Sequence, residues 1–282
     1  MILPSLLRPG ETVGVIAPSG PVDRERLLDG ISYLQRRGYE VREGDSLYAR
    51  TRYLAGRDAD RAADLNQMLG DREVRAIFTA RGGYGSARLL DLVDYDLVRE
   101  DPKIFVGFSD TTALQLGLYA RTGLVSYSGV VLCKDVNPAG MVGPTEERLW
   151  DALTKGRFSP LEGLQTLRAG RVGGPLLGGC LSLVVSLAGT PYLPALEGAV
   201  LFLEDVNEPP YRLDRLLFQL RMAGIFDRVG GVVFGQFEGC DPEAKEEGTP
   251  MEVFTAFAES VSCPVYAGLP YGHGQGRTVL PV

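Results

Sequence analysis

The first half of the chain alternates short apolar runs with segments in which apolar residues recur every three or four positions. Short apolar runs are typical of buried strands, and the wider spacing is typical of amphipathic helices. Strands and helices are therefore predicted in the segments TVGVIAP, DRERLLDGISYLQRRG, YEVREG, DADRAADLNQML, VRAIFTA, KIFVGF and TTALQLGLYARTG. This order indicates a parallel sheet with crossover helices.

The alternation stops between residues 137 and 167 and then resumes. The interruption is rich in Gly and Pro and contains one short helical piece, Glu146 to Leu153. The second half predicts further helices and strands in LLGGCLSLVVSLAG, GAVLFLE, YRLDRLLFQLRMAG, GGVVFGQF, MEVFTAFAESV and CPVYAGL. We therefore predict an α/β protein of two domains, 1–136 and a smaller 168–282, each with its own core and joined by a linker.

Composition and charge exclude several classes of partner. The chain of 282 residues is 45% hydrophobic and 23% charged, with a net charge of -7 and a pI near 5.0. Nucleic acids and anionic membranes both need a cationic protein surface, so neither is expected as a partner. Glycines and prolines interrupt the apolar stretch Leu176 to Pro194, which we interpret as a buried helix and not as a membrane span.

The two ends of the chain suggest where the protein acts. The N-terminal segment MILPSLLRPGETVGV lacks the basic and apolar regions of a signal peptide, so a cytoplasmic location is expected. The last residue is Val282, and some C-terminal residues are expected to be missing from this sequence.

The cysteines and the single histidine limit the possible chemistry. The four cysteines have no C-x-x-C spacing and are predicted to be buried, reduced thiols: Cys133, Cys180, Cys240 and Cys263. A hydrolytic zinc site normally needs two or three imidazole ligands, so His273 alone argues against a metal, and no cofactor is expected. One histidine is enough for a Ser-His-acid triad. The alternative is a solvated histidine in a glycine-rich loop.

A candidate nucleophile lies where an apolar run turns into a helix. Ser109 occupies this position in KIFVGFSDTTALQLG, and a serine on a sharp strand-to-helix turn is typical of a nucleophile. The amide of Asp110 would then point at a developing oxyanion. The alternative is that Ser109 or Asp110 only caps the helix, and the segment lacks the second glycine of G-x-S-x-G.

Two loops and one acidic segment complete the candidate chemistry. The glycine-rich loop FTARGGYGSARLL could present backbone N–H groups to an oxyanion, although it could equally be a tight turn. The first loop, GVIAPSGPVD, has neither G-x-G-x-x-G nor a Walker lysine, which disfavours nucleotide binding. Three acids follow a hydrophobic strand and could orient the histidine, and spacing does not choose among Glu204, Asp205 and Glu208.

The chain resembles the LD-carboxypeptidase family over nearly its whole length. The resemblance rests on five ordered blocks: RGGYGSARLLD, FVGFSDTTAL, LLGGCLSLVVSLAGTP, LFLEDVNEPPYRLDRLLFQL and LPYGHG. It implies a flavodoxin-like N-terminal α/β sandwich and a C-terminal swivelling-type β/α domain. The implied triad is Ser109, Glu204 and His273, with an oxyanion hole from the amides of Gly82 or Gly83 and Asp110.

The resemblance also implies a reaction, a cellular role and an assembly. Members of the family remove the terminal D-alanine from an L,D-linked murein tetrapeptide during cell-wall recycling, and a homodimer is expected. Related microcin-immunity peptidases use the same triad on peptidyl-nucleotide antibiotics, which stays an alternative substrate class. A two-domain ligand-binding protein without catalysis is the alternative from another class. Two departures from the family pattern, SYSGV from Ser126 and the residue Cys180, affect the expected substrate contacts.

Overall fold

Two β-sheets form the framework of the protein, and helices pack around them. The computed structural model describes residues 1–141, 143–242, 244 and 248–282. The elements of the first half are β1 (Thr12–Ile16), α1 (Arg24–Arg36), β2 (Glu40–Glu43), α2 (Asp58–Gly70), β3 (Val74–Thr79), α3 (Tyr95–Glu100), β4 (Ile104–Gly107), α4 (Thr112–Thr122), β5 (Tyr127–Ser128), α5 (Leu132–Asp135), β6 (Val136–Asn137), β7 (Gly140–Met141) and α6 (Gly143–Lys155). Those of the second half are β8 (Gln165–Arg168), β9 (Leu176–Cys180), α7 (Leu181–Leu187), β10 (Val200–Val206), α8 (Pro210–Met222), β11 (Gly231–Glu238), α9 (Pro250–Ser260), β12 (Val265–Ala267) and β13 (Leu280–Pro281).

The first sheet has the strand order β13-β5-β4-β3-β1-β2. Strands β1 to β5 are parallel, and only β13 is antiparallel to its neighbour. Both faces of this sheet are covered. Ala76 and Phe78 of β3 belong to an apolar cluster with residues of α1 and α6, whereas Ile77 belongs to a cluster with residues of α2 and α4. Burial on both faces explains why these strands appear as continuous apolar runs.

The second sheet has the order β8-β12-β11-β10-β9, with β8 antiparallel to β12 and the other strands parallel. Helix α7 packs on β9 and β10, and α8 packs against α7 and α9. The predicted α/β architecture with parallel sheets in two halves of the chain is confirmed.

The apolar stretch from Leu176 to Pro194 is not the single buried helix that the sequence suggested. Leu176–Cys180 forms strand β9, and only Leu181–Leu187 is helical. Gly178 has a φ of +142°, and a Cβ there would lie 1.9 Å from the carbonyl oxygen of Phe202. Hydrophobic periodicity does not distinguish a short buried strand from a helix, which is the reason for the error. None of the described helices is long and apolar enough to cross a bilayer.

The segment 137–167, expected to be a linker, contains part of the β6–β7 hairpin, helix α6 and most of β8. Leu149 and Trp150 of α6 are buried in the cluster on one face of the first sheet. The cluster on the other face continues into the second half, because α4 packs against β9 and α7. The expectation of one separate core for each domain is therefore wrong, and the boundaries 1–136 and 168–282 stay a prediction.

Candidate active site

Ser109 lies at a sharp turn between β4 and α4. Its φ is +64°, a value that residues other than glycine seldom adopt. The turn is also sterically tight, since a Cβ at Gly107 would lie 2.3 Å from Oγ1 of Thr111. Conformations of this kind cost free energy and occur often at active sites, so the backbone at Ser109 has the conformation expected of a nucleophile turn.

The carboxylate of Asp110 joins the nucleophile turn to two other loops. It accepts hydrogen bonds from the hydroxyl of Ser19 at 2.6 Å and from the backbone amides of Gly85 and Ser86 at 3.2 and 2.8 Å. The Ser86 hydroxyl also donates to the carbonyl of Asp110 at 2.6 Å. Asp110 is only 3% exposed, so these bonds satisfy a buried carboxylate. The side chain thus fixes the glycine-rich loop against Ser109.

His273 follows β12 in a loop that crosses the end of β11. The Gln236 amide donates to the Tyr271 carbonyl at 2.8 Å, and the Gln236 side chain accepts from the amide of Gly274 at 3.2 Å. Gly272, with a φ of +150°, lies so close to Gln236 that a Cβ would come within 2.7 Å of its side chain. The glycines around His273 therefore permit close packing of this loop.

A continuous chain of hydrogen bonds connects Ser109, His273 and Glu204. Nε2 of His273 lies 3.0 Å from Oγ of Ser109, and Nδ1 lies 2.8 Å from Oε2 of Glu204. An ionised Glu204 accepts the proton of Nδ1, which leaves Nε2 free to accept the serine proton. The structure thus brings together all three residues of the expected triad from distant parts of the sequence.

The three candidate acids have different surroundings. Glu204 is fully buried; this burial raises the pKa of its carboxyl, and the hydrogen bond and charge of His273 oppose the rise. Asp205 instead accepts from the amide of Ser182 at 2.8 Å, at the start of α7. Glu208 pairs with Arg212 at 3.2 Å on the surface of α8. Of the three acids, only Glu204 contacts the imidazole.

Arg277 holds the histidine loop on the first sheet. Its guanidinium donates to the carbonyls of Gly129 and Gly274 at 2.6 and 2.9 Å and forms a buried ion pair with Asp135. It also lies 4.4 Å from the ring centre of Phe108, the residue before Ser109. The sequence analysis missed Arg277, because an arginine near the end of a chain carries no pattern that indicates a buried ion pair.

Tyr271 provides a second connection between the histidine loop and the first sheet. Its hydroxyl and that of Ser128 lie 2.6 Å apart, and Ser128 also donates to Gln115 of α4 at 3.1 Å. Tyr271 is fully buried, and this burial raises its pKa. The SYSGV segment, a departure from the family pattern, therefore supports the loop that carries the histidine.

The oxyanion-hole candidates lie beside the nucleophile. A Cβ at Gly82 would come 2.9 Å from Cβ and 3.1 Å from Oγ of Ser109, so the backbone of the glycine-rich loop approaches the serine closely. Gly82 and Gly83 line the same cavity as Ser109. The backbone of the glycine-rich loop therefore borders the space in front of Ser109.

Ser109 and His273 open into a cavity of about 490 Å³. Its charged lining consists of Asp23, Arg26, Arg81 and Lys134. The volume is typical of a pocket for a small molecule or a short peptide. The sequence analysis had not selected these four residues, because they come from separate loops and helices that only the fold brings together.

All four cysteines are buried and form no disulfide. Cys133 lines the cavity, and burial raises the pKa of its thiol to about 11. Within residues 1–141, 143–242, 244 and 248–282, no group of three or more His, Cys, Asp or Glu side chains is arranged to hold a metal ion.

Comparison with known proteins gives consistent matches along the chain. Residues 13–129 match the LD-carboxypeptidase N-terminal domain, and residues 173–282 match the LD-carboxypeptidase C-terminal domain. A probable murein peptide carboxypeptidase of Bacillus subtilis is 36% identical, over 99% of this chain and 89% of that protein.

Two solved structures extend the similarity to the fold. Muramoyltetrapeptide carboxypeptidase from Oxalobacter formigenes has a TM-score of 0.84 and 31% identity, over 96% of this chain and 92% of that chain. The microcin C7 self-immunity protein MccF of Escherichia coli is 27% identical, over 100% of this chain and 91% of that protein. A structure of MccF has been solved in complex with glutamyl sulfamoyl guanosine. That structure has a TM-score of 0.89 and 26% identity, over 99% of this chain and 93% of that chain.

Proposed function

Because this chain belongs to the LD-carboxypeptidase family and is a serine peptidase hydrolase, we propose that it releases the terminal D-alanine of murein tetrapeptides. The bond hydrolysed is the L,D-peptide bond before that residue. We place the reaction in the cytoplasm, as a step of cell-wall recycling, and expect the enzyme to be a homodimer. The observation that carries the proposal is the hydrogen-bonded series Ser109, His273 and Glu204 within one cavity.

The proposed reaction begins with attack of the Ser109 hydroxyl on the scissile carbonyl carbon. His273 takes the hydroxyl proton at Nε2, and the buried Glu204 holds the Nδ1 proton and stabilises the imidazolium. The proton then passes to the leaving amine, the C–N bond breaks and an acyl-enzyme remains. His273 next deprotonates a water, which hydrolyses the ester and regenerates the serine.

The oxyanion of each tetrahedral intermediate needs hydrogen-bond donors that are already in position. We assign this role to the backbone amide of Asp110 together with that of Gly82 or Gly83. In support of this assignment, the Asp110 carboxylate connects the nucleophile turn to the loop after Gly83. This connection holds the two sets of backbone amides in fixed relative positions. Fixed donors of this kind stabilise charge without reorganisation during the reaction.

A second candidate substrate is a peptidyl-nucleotide conjugate, which the similarity to MccF with its sulfamoyl guanosine ligand favours. A purine would gain from stacking on an exposed aromatic ring. In the described part of the cavity lining, the one Phe, Tyr or Trp is Phe108, which is fully buried and packs against Tyr271. The lining itself therefore offers no exposed ring for stacking, whereas Tyr84, next to the lining residue Gly83, is 53% exposed.

The decisive experiment is mass spectrometry of purified protein incubated with a murein tetrapeptide that ends in D-alanine. We expect wild-type protein to release D-alanine, while Ser109→Ala does not. An otherwise identical peptide with terminal L-alanine controls for stereochemistry, and aspartyl sulfamoyl adenosine tests the second candidate substrate. If the wild type cleaves none of the three and no serine-directed acylating reagent labels Ser109, the non-catalytic ligand-binding alternative is favoured.

A further inference from the structure

The charge of the active-site cavity is opposite to that of the whole protein. The chain has a net charge of -7, yet the cavity is lined by three cationic side chains and a single acidic one. The acid, Asp23, is the N-cap of α1 and accepts a hydrogen bond from the amide of Arg26. A net positive cavity in an acidic protein attracts and orients anionic ligands.

The two arginines of this cavity keep most of their hydrogen-bond donors available. Across the described ranges, no ion pair includes Arg26 or Arg81. One Nη of Arg81 donates to the carbonyl of Pro21 at 2.7 Å. The other N–H groups of its guanidinium have no hydrogen-bond acceptor among the described residues. Lys134 differs, since its ammonium donates to the carbonyl of His273 at 2.9 Å.

The two arginines also line the same cavity as Cys133. Both have positive charges near the Cys133 thiol, where they oppose the rise in its pKa that burial causes. Cys133, Arg81 and Arg26 line the cavity together with Ser109. Arg81 precedes Gly82, the residue whose backbone lies against Ser109. The cationic groups therefore belong to the cavity that contains Ser109 and not to a remote surface.

A carboxypeptidase must distinguish a terminal residue from an internal one. The distinguishing group is the terminal carboxylate, whose carbon lies about 3 to 4 Å from the scissile carbonyl carbon, two bonds beyond the leaving nitrogen. Guanidinium groups bind carboxylates through parallel hydrogen bonds, with better directionality than an ammonium. We propose that Arg26 and Arg81 form the subsite that binds the terminal carboxylate of the substrate and so make the enzyme an exopeptidase.

The choice of peptide rests on the proposed function. The test is designed so that failure of the carboxylate subsite and failure of the proposed function give different results. Two peptides are compared: a murein tetrapeptide with a free terminal D-alanine carboxylate and the same peptide as its carboxamide. Wild-type protein is expected to have a kcat/KM for the acid that is about 10- to 100-fold higher than for the amide, as expected for charged hydrogen bonds.

Neutral variants should remove this preference selectively. Arg26→Gln and Arg81→Gln are each expected to lower kcat/KM for the acid by about tenfold while changing that for the amide little, and Arg81→Lys should restore part of the preference. Arg24→Gln is the matched control, because Arg24 lies on the same helix turn but packs over Tyr48 outside the cavity. If the arginines had only a structural role, their loss would lower kcat/KM for the acid and for the carboxamide by the same factor. A ratio of the two kcat/KM values that is unchanged in the variants therefore overturns the proposal.

Binding measurements keep the inference testable if no peptide is cleaved. In the Ser109→Ala background, calorimetry should show tighter binding of the acid than of the amide, with the difference lost when Arg26 and Arg81 are both changed to Gln. Such a result without wild-type turnover would refute the proposed function and support the subsite. Turnover of both peptides at equal kcat/KM would refute the subsite and leave the peptidase function standing.

Discussion

At the scale of single residues, the site depends on groups that are costly for folding and useful for chemistry. Ser109 has a positive φ, and Glu204 is a fully buried carboxylate whose Oε1 has no hydrogen-bond partner among the described residues. Burial raises the pKa of Glu204, which means that the folded state disfavours the charged form. Conflicts of this kind between stability and local chemistry are typical of active sites.

Replacing Glu204 by Gln should lower activity and change the pH dependence of stability. The amide would donate to Nδ1 of His273 and hold the tautomer in which Nε2 cannot accept the serine proton, so we expect turnover to fall by about a thousandfold or more. Because the folded pKa of Glu204 is raised, wild-type stability decreases as pH rises through that pKa. The variant lacks this loss, so its free energy of unfolding relative to that of the wild type should increase from pH 4 to pH 7.

The measurement is urea unfolding at pH 4 and pH 7 combined with the peptide assay. The stability difference between the variant and the wild type should be larger at pH 7 than at pH 4. Glu208→Gln is the control, since this acid pairs with Arg212 on the surface and should affect neither property strongly. A Glu204→Gln protein with normal turnover would remove Glu204 from the proposed mechanism.

At the scale of elements, the site is formed by strand ends and the loops that follow them. β4 leads into Ser109, β3 into the glycine-rich loop and β10 contains Glu204 near its end. Ligands bind at the carboxyl ends of the strands in open parallel sheets, which is the reason these loops were good candidates from sequence. Their mutual distances depend on close backbone packing, and at Gly82 an added Cβ would lie only 2.9 Å from Cβ of Ser109.

Gly82→Ala should disturb the nucleophile without unfolding the protein. The added Cβ would lie 2.9 Å from Cβ of Ser109, so the serine or the loop must shift by a few tenths of an ångström. We expect kcat to fall by about 10- to 100-fold, because small displacements of reacting groups have large kinetic effects. The thermal midpoint should change by only a few degrees.

The matched control is Gly173→Ala, where a Cβ would meet no heavy atom within 4 Å. This variant should retain wild-type kcat and thermal midpoint. Unchanged kcat in Gly82→Ala would contradict the close approach as a requirement for catalysis.

At the scale of the whole molecule, the second half of the chain returns to the first sheet to complete the site. Strand β13 pairs with β5, and Arg277 forms a buried ion pair with Asp135. One apolar cluster also extends from the first sheet into the second half. The relative position of Ser109 and His273 therefore depends on contacts between the halves, and these contacts stabilise the fold as well as the site.

Breaking the buried ion pair between Arg277 and Asp135 should weaken both the fold and the active site. Arg277→Met leaves the Asp135 carboxylate without its guanidinium partner, which we expect to lower the free energy of unfolding by about 3 to 5 kcal/mol and to lower kcat. The double variant Asp135→Asn, Arg277→Met should recover part of the stability, because it removes the uncompensated charge. Urea unfolding of both single variants and the double variant measures the coupling. Additive losses would show that the pair does not act as a unit.

Much of the fold could be predicted from the sequence because local patterns specify it. Apolar runs and helical periodicity placed most of the longer strands and helices, and the turns after strands indicated where Ser109 and His273 would lie. The short elements α3, α5 and β13 were missed, since two to six residues carry too little periodicity. The strand β9 was assigned to a helix because burial on both sides removes the alternation that identifies strands.

The sequence by itself determined the α/β class, the residue types available for a triad and, through ordered motifs, the family. Spacing alone did not choose among Glu204, Asp205 and Glu208, and the family resemblance implied Glu204. The tertiary structure supplies the physical reason, because the three acids differ in their partners and Glu204 is the one that contacts the imidazole. It also decided that Arg26 and Arg81 share a cavity with Ser109. These contacts join residues far apart in the chain, and their energies arise from burial and charge that exist only after folding.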